Sequence, residues 1–530
     1  MRLPQVPYRN KATAFIQQFL GYNHNLRTQA GEFYDMKNMS LDNFPVISTR
    51  QGEEDKFVMV GNPNGLWEYA PDTLMAVSGN QLRIGITKDS AGEILPDSAQ
   101  YLSDSEKSFA TIGVYTVIMP DKVIFNARTN QLSRIVRSYT SVAYGGQYLI
   151  MELIPCDIEG QSIEYEAGTE APVDTTKYWY DTGNNVYKKY STSTEQWIQV
   201  ETPYMKLIPR ISSLEDSYEA PEGSLNKAAL DDKKALSDFF GGLSPLDSVS
   251  YAGTQSAAED DFFDYLIYGT GTEDDTNFII LSMIGERVVT DFNIRTKCPD
   301  LEHLVALNNR IWGVDNNTHE IFASKLGDPT QWFNYAGIAS DSYAVTLGFA
   351  DEVTAGVAYN NYVHFFTEDK VIKFYGDYPS NYQMHTMKED GVIHGGQDTV
   401  VQVEGILFYV SPIGVMAYDG SLPRFQGQKF APNFLNGKTM AAGKDGTKYC
   451  LSVSKNGTGE GVFVFDTKYG LWAVGGDQIF RKTAELGNAL CFINDEGHLV
   501  TLMDRDRQKD ATIIVGENIF SSEEREEVSW

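Results

Sequence analysis

Cysteine is scarce and badly spaced for chemistry. Cys156, Cys298, Cys450 and Cys491 are the only four in 530 residues, and no pair has the two-residue gap of a zinc ribbon or a dithiol redox motif. A disulfide framework is not expected, and Cys450 and Cys491, inside the strand-like runs 448–453 and 489–493, read as small buried apolar side chains. Histidine is nearly as rare: seven are scattered without a pair at metal-ligand spacing. Positive charge is also short. Forty-three Lys and Arg face 72 Asp and Glu, a formal net charge of −29, which argues against wrapping nucleic acid or adhering to an anionic membrane. No eighteen apolar residues run together and the opening Met1–Pro7 has no apolar h-region, so neither a membrane span nor a signal peptide is expected, and the chain is expected to fold in a cytoplasm. Proline is limited to 19 residues against 46 Gly, 30 Tyr and 28 Phe, a balance that favours strands joined by tight turns. With 42% hydrophobic and 22% charged residues the chain can bury more than one core, and an all-β fold is expected.

What is present is a repeat. An apolar strand, a short polar turn, a second strand, a looser turn and a third strand recur from Leu304, Ala355, Val400, Ala441 and Thr483, at spacings of 51, 45, 41 and 42 residues. That period matches the ~40–50 residues of a β-propeller blade and exceeds the ~20–35 of shorter solenoid repeats. The turns Asn308-Asn309, Asn360-Asn361, Glu404-Gly405, Asp445-Gly446 and Gly487-Asn488 use residues that tolerate positive φ. The same grammar appears at 109–119 and more weakly at 57–60 with 64–69. The fold class these units predict is an all-β, six- or seven-bladed β-propeller with a β-rich insertion domain containing one amphipathic helix.

Residues 138–262 break the period and read as the insertion. Aromatic hairpins are expected at 177–190 and 196–200, and a helix over Ser224 to Leu243 with Leu225, Ala229, Leu236, Phe239, Phe240 and Leu243 on one face, capped by Ser224 and ended by Gly241-Gly242. Between residues 157 and 275 lie 24 Asp or Glu and 8 Lys or Arg, a net −16, read as a solvated acidic surface or as a lining that faces a polyanion. The domain plan is therefore an N-terminal arm (1–52), propeller blades (53–137), the insertion (138–262), further blades (263–515) and an acidic C-terminal tail (516–530). The arm, with Phe15, Phe19, Phe33, Tyr34 and Phe44, is read as bracing the ring or docking on a neighbouring subunit, and Ala511–Val515 as the strand that closes the first blade onto the last.

The search for chemistry leaves the catalytic, cofactor-binding and metal positions all empty. No Gly-x-Ser-x-Gly elbow, Walker A loop or His-Glu-x-x-His occurs. Gly457–Gly461 resembles half a dinucleotide fingerprint but joins strands, so it reads as a hairpin loop. Asp504–Asp510 has calcium-like carboxylate intervals spoiled by interleaved cations, and reads as a solvated turn. The acidic runs Glu259–Asp264 and Glu273–Asp275 read the same way, with a divalent ion as the alternative. Asp466–Trp472 lacks the spacing of a sialidase Asp-box, and no acid pair falls at matching repeat positions as a glycosidase would need.

Several segments are familiar as a set: Asn309–Gly313 with Ile321–Trp332, Gly391–His394 with Val400–Gly420, and, at the start, Gly31–Ser40 with Asp42–Ser48 and Arg50. They resemble tail proteins of short-tailed bacteriophages, the packaged-DNA stabilisation proteins that form tail hubs and nozzles. That resemblance implies a structural virion protein of β-propeller type and no enzyme. It implies a homo-oligomer, a hexameric ring below the portal and its adaptor, in contact with other tail proteins. Genomic DNA would pass through the lumen without sequence-specific binding, and the ring would help to retain and release it. The chain would sit in the virion tail, and in the host cytoplasm during assembly. Acidic walls suit such a passage because they repel phosphates instead of trapping them, within the ~8–10 Å that screening allows. The alternative is a tail-tip or receptor-binding β-propeller that recognises a host-surface glycan through exposed aromatics such as Trp179 and Trp197.

Overall fold

The computed structural model describes residues 18–25, 28–46, 48–59, 61–142, 149–200, 204–211, 221–258, 261–283, 288–431, 434–507, 511–515 and 526–529. Most strands fall into separate four-stranded antiparallel sheets. Sheet A holds Pro63–Ala70, Thr73–Ser78, Gln81–Thr87 and Ser90–Ile94; sheet B holds Ser108–Ile112, Tyr115–Met119, Val123–Asn126 and Gln131–Arg134. Sheet C runs from Glu302–Leu307 through Arg310–Asp315 and Glu320–Ala323 to Tyr343–Thr346, and sheet D from Ala355–Tyr359 through Tyr362–Phe366 and Val371–Tyr375 to Gln383–Met387. Sheet E has Val401–Val403, Ile406–Ser411, Gly414–Tyr418 and Pro423–Phe425; sheet F has Thr439–Asp445, Lys448–Lys455, Thr458–Asp466 and Leu471–Gly476. Sheet G has Lys482–Leu486, Ala489–Ile493 and His498–Arg507, and takes its outermost strand, Gln51–Val58, from the other end of the chain.

Turn chemistry explains why these strands fold back on themselves. Asn308 and Asn309 have φ of 51° and 59°, Asn360 and Asn361 48° and 62°, and Gly487 and Asn488 59° and 64°, the paired positive values that match the twist of a two-residue hairpin. Apolar cores lie between consecutive sheets. Phe109, Ile118 and Phe125 of B meet Met75, Val77 and Ile84 of A; Trp312 and Ile321 of C meet Phe365 and Phe374 of D; and Leu490, Phe492 and Val500 of G meet Cys450 and Val462 of F. The first strands face inward: that of B lies between those of A and C, that of C against that of D, and that of G between those of A and F. All four cysteines are free and buried.

The expected six- or seven-bladed β-propeller is corrected. Among the described residues hydrogen bonding stops at the edge of each sheet, no barrel closes, and the pairing does not establish a blade number. The run 57–60 starts no unit of its own, because Gln51–Val58 is an outer strand of sheet G. Ala511–Val515 closes nothing there either: Thr512–Val515 lies between Asp35–Lys37 and Glu526–Ser529 in a small three-stranded sheet, so part of the acidic tail is paired. The insertion is also larger than a set of hairpins with a helix. Eight strands form one sheet, in the order Ser138–Thr140, Asn293–Thr296, Ser248–Ala252, Phe263–Glu273, Thr276–Leu281, Tyr204–Ile211, Leu149–Cys156, Val288–Val289. Strands from 263 to 296 thus belong to this sheet, and a boundary at residue 262 cuts through it.

The helix Leu225–Gly241 covers that sheet, with Ser224 Oγ accepting from Lys227 N at 3.1 Å. Leu236, Phe239 and Phe240 pack on Leu207, Ile279 and Leu281. Leu225, assigned to the apolar face, is 59% exposed, since it stands at the first turn, beyond the sheet. The aromatic strands form a separate mixed sheet, Tyr165–Gly168, Tyr178–Asp181, Val186–Ser191 and Gln196–Gln199, whose first pair is parallel. The arm from Phe19 to Leu41 seals the gap between sheets E and F: Phe19, Tyr22, Phe33 and Met36 are buried with Phe430, Phe463 and Trp472, and Tyr22 N donates to Trp472 O at 2.7 Å. Phe15 lies outside the described residues.

Candidate functional site

The inward strands enclose a cavity of about 490 Å³, within the ~300–1,000 Å³ of small-molecule sites. A neighbouring space of about 570 Å³ shares Glu106, Gly395, Asp398 and Lys482 with it. Local structure delivers the polar groups in a regular way. Glu106 just precedes the first strand of B, Glu302 begins that of C, Asp398 precedes that of E, and Lys482 begins that of G.

Lys482 joins three of these elements. Its Nζ donates to Asp398 Oδ2 at 2.6 Å and to Glu106 Oε1. Burial works against its charge, but Asp398 and Glu106 outweigh it and hold the ammonium above its ordinary pKa. Burial also pushes the Asp398 carboxyl above the usual carboxylate range, by more than Lys482 draws it down. Beside them His303, with φ of 50°, is held below the usual imidazole pKa by burial, against the pull of Glu302. The backbone there is tight: a Cβ on Gly356 would stand 2.6 Å from His303 O, so only glycine fits. Gln397 clamps the same glycine, accepting from Gly356 N at 2.8 Å and donating to Gly356 O at 3.2 Å. At the mouth His394 Nδ1 lies 3.5 Å from Glu352 Oε2, and both side chains are more than half exposed.

Leu66, Trp67, Phe109 and Leu304 supply apolar wall. Trp67 stacks on Phe109 at 6.1 Å and spends its Nε1–H on Thr111 Oγ1 at 2.9 Å. The arrangement can hold a small polar molecule with an apolar body. Among the described residues no three His, Cys, Asp or Glu side chains group as a metal site would need.

None of these residues is singled out by a motif, although His394 closes one of the resembling segments. Their signal is positional: a polar residue near the start of the innermost strand, repeat after repeat. The acidic runs go elsewhere. Glu273 is paired with Lys206 at 2.8 Å and Arg210 at 2.6 Å, and the lysine's hydrogen bond holds its carboxyl low. Asp274 and Asp275 form an exposed turn. Asp264 bonds Ser250 at 2.7 Å and Lys297 at 2.5 Å; residues 259 and 260, and the side chains of 504–510, lie outside the described residues. Gly457 sits at a hairpin between Lys448–Lys455 and Thr458–Asp466. Trp179 is only 8% exposed, bonded through Nε1 to Gly168 O and covered by Lys188 at 4.4 Å, while Trp197 meets it edge-on at 5.8 Å.

No described helix is long and apolar enough to cross a membrane. No family model and no curated protein matches the chain. Among solved structures it is similar to a catalytically inactive virginiamycin B lyase from Staphylococcus aureus with quinupristin, at 9% identity and a TM-score of 0.27 over 69% of this chain and 98% of that one. It is similar to apo AztD from Citrobacter koseri at 11% identity and a TM-score of 0.32, over 78% and 87%. Similarity to Saccharomyces cerevisiae Sqt1 stands at 11% identity and a TM-score of 0.32, over 86% and 98%. These neighbours are β-propeller-like proteins of unrelated function.

Proposed function

We propose that the chain is a structural component of a bacteriophage tail, a hub or nozzle subunit that assembles as a homo-oligomer below the portal and adaptor, extends the DNA passage and helps retain and release the genome. The observation that carries this reading is where the resembling segments fall. Ile321 and Trp332 are buried in sheet C and its neighbours, and Val403, Phe408, Val410 and Val415 in the core that also receives the arm residues Phe33 and Met39. What resembles tail proteins is therefore mainly architecture, although His394, Val400 and Val401 also line the cavity.

The DNA passage would lie between copies. A duplex about 20 Å across displaces roughly 3,000 Å³ for every 10 Å of its length, several times the 490 Å³ enclosed by one chain. Exposed carboxylates of the insertion, among them Glu164, Glu166, Glu170, Asp174, Asp274 and Asp275, suit a wall from which phosphates slide away. The glycan alternative draws little support, because the Trp179 ring is covered.

An electron-microscopic image of the intact particle, with an antibody against residues 157–200 marking the subunit, tests the reading. Label ringing the tail axis around an opening wider than a duplex is expected. Label at a fibre tip, or particles without label, would refute it.

A further inference from the structure

The cavity combines carboxylates with an aromatic wall, and its charges do not balance. Glu106, Glu302, Glu352 and Asp398 line it together with two ammonium groups, Lys107 and Lys482. Lys107 is already spent: buried Asp121 accepts from it at 2.7 Å, and Ser103 O and Ser105 Oγ take the rest at 2.8 and 2.9 Å. Lys482 is shared between Glu106 and Asp398. Burial disfavours the charged form of His303. The remaining excess is negative: Glu302 accepts from the neutral Asn316 amide at 2.7 Å, and Glu352 Oε2 lies at the mouth, 3.5 Å from His394 Nδ1.

The cavity already lodges an ammonium of its own between two carboxylates. Its other wall includes the aromatic Trp67, whose N–H is used, beside Leu66, Phe109 and Leu304. Carboxylates beside an aromatic face attract a cation by charge and by the ring quadrupole, and the apolar wall accommodates a stem. The mouth is open, with the Glu352 side chain 54% exposed. We propose that this cavity binds an organic cation, an ammonium or guanidinium group on an apolar stem, with the charge at Glu302 and Glu352 and the stem against Trp67 and Leu304. Such a group arrives either as a free amine or as an Arg or Lys side chain on a partner's loop. The inference does not depend on the tail reading.

Isothermal titration calorimetry of the full chain with phenethylamine, agmatine, a blocked Gly-Arg-Gly peptide and, as an anion of matching shape, phenylacetate tests it. Phenethylamine and agmatine are expected to bind in the micromolar to millimolar range and phenylacetate at least about tenfold more weakly. The E302Q/E352Q double variant should lose at least about tenfold in cation affinity with an unchanged melting temperature; if it melts early, E352Q alone, at the exposed mouth, carries the comparison. Peptide binding tighter than agmatine assigns the site to a partner's side chain, and the reverse order to a free amine. No heat with any cation at millimolar concentration, phenylacetate binding as well as phenethylamine, or variant affinities equal to the parent's would overturn the proposal.

Discussion

At the scale of residues, stability depends on buried polar groups whose partners are distant in sequence. Arg310, 1% exposed, donates to Ser324 O at 2.7 Å, to Ala339 O at 2.6 Å and to Asp341 O. One guanidinium thus organises the long loop between the last two strands of sheet C. Replacing it with Leu leaves three carbonyls unpaired, and we expect a loss of about 3 kcal/mol, measured as a lowered urea midpoint with an unchanged slope. His364 is fully buried beside Tyr359, Phe366 and Tyr418, with Lys373 close by, and among the described residues its Nε2 has no hydrogen-bond partner. Burial first, then Lys373, lowers its pKa from 6.5 to about 4. The unfolded chain therefore binds more protons between those values. The neutral imidazole's contribution is complete above pH 6.5 and falls as pH drops toward 4, by about 3 kcal/mol at most. Melting curves at pH 7 and pH 4.5 should differ less for H364F than for the parent; equal pH dependence in the two would refute this assignment. Neither residue is distinguished in the sequence, because burial is a property of the partners that surround a side chain.

Elements were legible where the cause of structure is local. The Asn-Asn, Glu-Gly and Gly-Asn turns and the apolar runs that follow them yield strands, as in Ala489–Ile493 of sheet G, which is buried along its whole length. Partner choice is not local. Gln51–Val58 pairs with His498–Arg507, more than 400 residues away, and Asn293–Thr296 pairs with Ser138–Thr140 and Ser248–Ala252. A two-residue period says which face of a strand is buried and nothing about which edge it joins. The arm illustrates both sides: its aromatics are visible in the sequence, but their place between sheets E and F is not. Phe33 is 1% exposed, against Phe19 at 5.4 Å, so F33A should cost about 3–5 kcal/mol, read as a lower melting temperature and faster proteolysis near residue 46. Asp247, 2% exposed, ties the insertion to sheet C by accepting from Asn334 Nδ2 at 3.1 Å and Gln331 Nε2 at 3.2 Å. D247A should raise hydrogen exchange across 244–252 and 331–342 together, while exchange in sheet A stays constant.

For the whole molecule, charge is the dominant collective quantity. A net −29 makes the folded chain self-repelling at low salt, since compaction brings like charges together. Raising sodium chloride from about 10 mM, where screening reaches ~30 Å, to about 150 mM, where it reaches ~8 Å, should raise the melting temperature, as calorimetry can check. A fall would mean that pairs such as Lys482 with Asp398 and Glu106, or Arg210 with Glu273, outweigh the general repulsion. By itself the sequence determined the all-β character, the repeat spacing, the turns and the acidity, because each follows from neighbouring residues or from composition. Only the tertiary structure decided which strands share a sheet, where the insertion ends, and that Glu106, Glu302, Glu352, Asp398 and Lys482, spread over 377 positions, line one cavity. Those outcomes depend on contacts between remote segments, whose closure is set by packing and hydrogen bonding in three dimensions, and no local pattern encodes them.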